Sequence, residues 1–161
     1  MKYNLIIFAL FVLLVLPLHA RAESHAEHGS AATHDHHAAA DTMMDARSIA
    51  LGEVTEEGIK ATAYLNDVGA VMAREGKKEN YHFMVMLVDT ATAAQVDKGN
   101  TALRITAPGL QQAGEPVVLM GMGGHFGADI SLLAKGEYKF EVGSKLADGK
   151  KRQFLFKYTV K

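Results

Sequence analysis

The chain has no cysteine and no tryptophan, only three prolines, and few aromatic residues, five tyrosines and seven phenylalanines. The missing thiol excludes disulfide staples, thiolate nucleophiles and thiolate metal ligands, and it excludes attachment through a lipidated cysteine. Charge of neither sign dominates: 17 basic residues stand against 18 acidic ones, a net charge of −1 with neutral histidines. No basic excess exists to neutralise phosphates, so the balance gives no reason to expect a nucleic-acid partner. Long hydrophobic runs are absent except at the N-terminus. There "LIIFALFVLLVL", Leu5 to Leu16, is too short to span a bilayer.

That run follows Lys2 and precedes Ala20-Arg21-Ala22, an A-x-A-like cleavage site. The three features together predict a secretory signal peptide over residues 1–22, with an uncleaved anchor as the alternative. Cleavage removes Lys2 and Arg21 and no acid, which leaves a net charge of −3 on a chain expected in the bacterial periplasm or secreted, with no membrane span. About 139 residues remain, enough for one domain and not comfortably two.

Composition changes sharply after the signal. "ESHAEHGSAATHDHHAAADTMMDARS", Glu23 to Ser48, is mostly Ala, His, Asp, Glu and Ser. It holds too little apolar surface to offset ordering entropy, which predicts a disordered tail. The expected organisation is a signal over 1–22, a His/Ala-rich disordered linker over 23–57 and a folded domain over 58–161. Within the linker, residues 49–57 are readable either as an edge strand or as a leader.

From Gly58 onward the hydrophobic period is two. Ile59, Ala61, Ala63 and Leu65 alternate with polar residues, and Tyr81 to Asp89 is apolar on both faces, as a central strand would be. Further strands are predicted at Thr101–Ala107, Pro116–Met122, Ala128–Leu133, Glu137–Val142 and Arg152–Val160. Turn chemistry separates them at Lys98-Gly99-Asn100, Ala107-Pro108-Gly109 and Asp148-Gly149. About seven short strands predict an all-β fold, an antiparallel immunoglobulin-like β-sandwich. Gly136, two residues before Tyr138, fits the tyrosine corner of such sandwiches.

Catalysis finds little support. Ser131 and Ser144 lack a nucleophile-elbow sequence, and beyond the tail only His82 and His125 remain as imidazoles. "GMGGHFG" is not followed by a helical pattern, so it does not read as a phosphate loop. A hydrolase would need a second histidine–acid pair that the chain does not offer.

Metal chemistry has two candidate locations. His25, His28, His34, His36 and His37 fall within thirteen residues of the tail, where imidazole can wrap Cu(II), Zn(II) or Ni(II). Protonation should weaken that site below about pH 6. The alternative is a solvated linker. In the domain, His82, Met84 and Met86 share one face of their strand, and Met120 and Met122 share one face of theirs. Thioether sulfur suits Cu(I), and imidazole completes a site able to hold Cu(II) as well. Gly121, Gly123 and Gly124 would let the backbone bend and return His125 toward the sulfurs. The alternatives are core packing for the methionines, and for His125 a turn histidine bonded to a carbonyl.

"GEPVVLMGMGGHFGADISLLAKGEYKFEV" resembles the C-terminal half of small secreted immunoglobulin-like domains of the YtkA-like kind. More distantly, it is similar to the periplasmic copper-binding accessory proteins of bacterial iron uptake, which pair a Met-x-Met element with a Gly-x-His-Tyr-Gly element. Here Met120-Gly121-Met122 matches the first and Gly123-Gly124-His125-Phe126-Gly127 the second, with Phe in place of Tyr. The chain departs from that pattern in joining the two elements without an intervening loop. The resemblance implies metal handling in the envelope and no reaction. The expectation is therefore an exported copper carrier or buffer. A non-metal envelope module that binds or assembles with another envelope protein is the competing class.

Overall fold

A computed structural model describes residues 48–161; the expected signal peptide, the histidine tail and its five histidines lie outside the described residues. Eight strands form: β1 Ser48–Glu56, β2 Ile59–Asp67, β3 Tyr81–Asp89, β4 Gly99–Thr106, β5 Val117–Gly121, β6 Phe126–Ile130, β7 Gly136–Leu146 and β8 Lys151–Val160. A six-residue helix, α1 Gly69–Arg74, connects β2 to β3.

All pairings are antiparallel, in the order β1-β2-β3-β6-β5-β4-β7-β8. β5 belongs to both halves. Its residues Val117 to Leu119 pair with β4, and Met120 and Gly121 pair with β6. β1 also packs against β8, so the sandwich closes toward a flattened barrel.

Between the halves lie the alternate residues that the period of two selects: Ala61, Ala63 and Leu65; Phe83, Val85 and Leu87; Phe140 and Val142; Phe154 and Phe156. Phe83 and Phe140 stack across the interior with ring centroids 5.7 Å apart. The tyrosine corner is present. Tyr138 is buried, and its hydroxyl accepts a hydrogen bond from the Ala134 N–H at 2.8 Å.

Several boundaries differ from the sequence reading, and β7 runs on to Leu146, four residues past the expected end at Val142. Of the two readings open for residues 49–57, the edge strand holds: Ser48–Glu56 is β1, so strand pairing extends ahead of Gly58 and the count rises from about seven to eight. Glu57 and Gly58, both at positive φ (43° and 79°), make the two-residue turn that pairs Glu56 with Ile59. Gly99 and Asn100 are not a turn but the first residues of β4, opposite Leu146 and Lys145. The strand expected over Ala128–Leu133 runs instead over Phe126–Ile130, because Phe126 enters the core and Leu133 faces solvent.

Candidate metal centre

β5 and β6 are joined by the tightest hairpin available. Met122 N–H donates to the His125 carbonyl at 2.8 Å, and only Gly123 and Gly124 lie between them, at φ of 59° and 115°. Two consecutive positive φ values suit a type I′-like turn, and glycine adopts them without penalty. The Met-Gly-Met and Gly-His elements need no loop between them. The hairpin sets Met122 opposite His125, and cross-strand partners project from the same face. The Gln95 side-chain amide donates to the Gly124 carbonyl and braces the tip from the loop after β3.

The next partners extend this face. Met120 pairs with Gly127, and on the other edge of β6, Met84 of β3 also pairs with Gly127. Met84, Gly127 and Met120 therefore form one row across three strands, on the outer side of the sheet. The two methionine backbones are two strand spacings apart, about 10 Å. Gly127 contributes no side chain to the row, and the His82 imidazole fills that space. A Cβ at Gly127 would stand 2.8 Å from His82 Nε2. The His82 and His125 rings meet edge-on, with centroids 6.4 Å apart.

Exposure decides between packing and function for the methionines. Met120 is 62% exposed and Met122 41%, so neither is core filler. Met84 is 8% exposed although it lies on the outer face, and His125 is 9% exposed. Met86 is half-buried further along the same face. Among the described residues the His125 ring has no hydrogen-bond partner. Burial, and secondarily the neighbouring His82, push the His125 pKa below its ordinary value. The ring is thereby kept neutral near pH 7, the state in which imidazole nitrogen can ligate a metal.

His82, Met84, Met120, Met122 and His125 are thus gathered on one face by strand register. Two further residues complete the arrangement: Gly127, named above only as the end of the glycine–histidine element, and Asp129, which the sequence reading did not single out. Gly127 is the floor, and Asp129 accepts a hydrogen bond from His82 Nδ1 at 2.7 Å. The signal for both was in the alternation His125, Gly127, Asp129, which puts all three on one side of β6. Among the described residues no three His, Asp or Glu side chains gather as a hard-metal site, and none of the helices is long and apolar enough to cross a membrane. The donor set on this face is two imidazoles with thioethers, a soft set.

No family model matches the chain, the YtkA-like kind included, and no curated protein matches it. Among solved structures, it is similar to a copper-bound point variant of FetP from uropathogenic Escherichia coli strain F11. The TM-score is 0.57 at 12% sequence identity, over 70% of this chain and 96% of that one. At that identity the likeness concerns the fold: the chain has the all-β architecture of a protein whose structure was solved with copper bound.

Proposed function

We propose that this is an exported copper-binding protein of the bacterial envelope, a carrier or buffer and not an enzyme, whose domain site is made by His82, Met84, Met120, Met122 and His125. One observation carries the reading: these five residues, from β3, β5 and the hairpin that follows it, share one sheet face beside Gly127, whose missing side chain admits the His82 Nε2 to that face. Thioethers exposed to water on a surface are costly ornaments for stability but useful donors for Cu(I), while the two imidazoles extend the set to Cu(II). Likeness to a fold solved with copper supports the choice of metal. His25, His28, His34, His36 and His37 would act as a separate collecting site, where Zn or Ni could also bind.

The test is an anaerobic Cu(I) titration of the chain with those five tail histidines replaced by alanine. One tight site should remain, and it should vanish in Met120→Ala/His125→Ala. A chain without tail histidines that binds nothing above background would confine metal binding to the tail. If the intact chain also binds nothing, the non-metal envelope module becomes the better reading.

A further inference from the structure

We propose that Asp129 is a positioning residue that presets His82 for metal capture, an inference that rests on the copper-site reading above. An ionised carboxylate can only accept hydrogen bonds. The 2.7 Å contact between Asp129 Oδ1 and His82 Nδ1 therefore places the imidazole proton on Nδ1. Nε2 is left with its lone pair, and the geometry aims it over Gly127, between the paired positions of Met84 and Met120.

The arrangement is specific in three ways. Asp129 is the direct cross-strand partner of His82, so the contact follows from the β3–β6 register. Gly127 lets the ring approach β6 closely, since any larger residue would collide with its far nitrogen. The His82 side chain is only 18% exposed, so the ring is packed and not free to reorient in water. A ligand imidazole whose second nitrogen donates to a carboxylate is fixed in tautomer and made more basic, and loss of such a partner costs 10- to 100-fold in metal affinity on average. Asp129 also places a negative charge beside the site. That charge favours the higher-charged Cu(II), so its removal should raise the reduction potential of the bound copper.

The experiment uses the full chain, with imidazole 15N NMR to resolve His82 from the tail histidines and methionine methyl NMR to follow Cu(I) arrival at Met84 and Met120. In the metal-free wild type, His82 Nε2 should show the shift of an unprotonated nitrogen. Asp129→Ala should mix the tautomers and weaken Cu(I) at the methionine signals by 10- to 100-fold. Asp129→Asn, which keeps an acceptor and loses the charge, should fall between and serves if the alanine variant does not fold. Wild-type affinity and tautomer in both Asp129 variants, with His82→Ala still weakening binding, would overturn the positioning role and leave the site intact. Wild-type Cu(I) affinity in His82→Ala would remove His82 from the site, and the proposal with it.

Discussion

Replacing Gly127 by alanine adds one methyl group at the centre of the candidate site. Gly127 does not adopt a positive φ, so alanine can take its backbone conformation and the conflict is steric alone. The new Cβ would lie 2.8 Å from His82 Nε2, 3.3 Å from His82 Cε1 and 3.0 Å from the Phe83 carbonyl oxygen. The ring can swing away, but it then leaves Asp129, at a cost of about 1 kcal/mol for the hydrogen bond. The carbonyl is held in the β3–β6 ladder and must give by a few tenths of an ångström, and overpacking of this kind costs roughly 1–3 kcal/mol. Against this, alanine restricts the unfolded chain and returns about 0.4–1 kcal/mol. The expected net destabilisation is about 1–3.5 kcal/mol, a fall in Tm of roughly 5–15 °C. Cu(I) binding should fall about 10- to 100-fold, as for any loss of ligand orientation. Thermal unfolding of the metal-free protein and a Cu(I) competition titration measure the two effects separately. A variant destabilised as calculated but with wild-type Cu(I) affinity would refute the idea that the ion sits over Gly127.

Three further outcomes follow from the same geometry. Met120→Leu and Met122→Leu, both on exposed side chains, should leave stability within about 0.5 kcal/mol of wild type by chemical denaturation, while each weakens Cu(I) binding. Tyr138→Phe removes the acceptor of the Ala134 N–H, on an exposed residue, and should cost about 0.5–1.5 kcal/mol in urea unfolding, with no effect on metal binding. The side chain of Arg152, almost wholly buried, makes a two-pronged contact with Asp148 at 2.6 and 3.2 Å, and this contact holds the Asp148 pKa down at about 2. A depressed carboxylate pKa stabilises the fold above the unfolded value and loses that contribution as pH falls toward the folded one. Stability should therefore decline between about pH 4 and pH 2, and Asp148→Asn should lose that part of the acid slope in pH-dependent thermal melts.

The local features were readable because they depend on neighbours in sequence. Period-two alternation marked the core faces of β2, β7 and β8, and the glycine before Tyr138 marked the tyrosine corner. The Gly123-Gly124 pair marked a bend after Met122, though not its two-residue length. β1 was harder to assign, because an edge strand has one ladder partner and its polar, exposed residues resemble those of a linker.

The sequence by itself determined an all-β chain with a soft donor set: thioethers at Met84, Met120 and Met122, imidazoles at His82 and His125, and no thiol anywhere. Only the tertiary structure decided that these residues share one face of neighbouring strands. β3 pairs with β6 and not with its sequence neighbour β4, and this choice brings His82 beside Asp129, 47 residues away, and Met84 opposite the same glycine as Met120. Strand order is set by which apolar faces can be buried together, a property of the whole core. Side-chain alternation specifies the face of each donor but not the strand beside it.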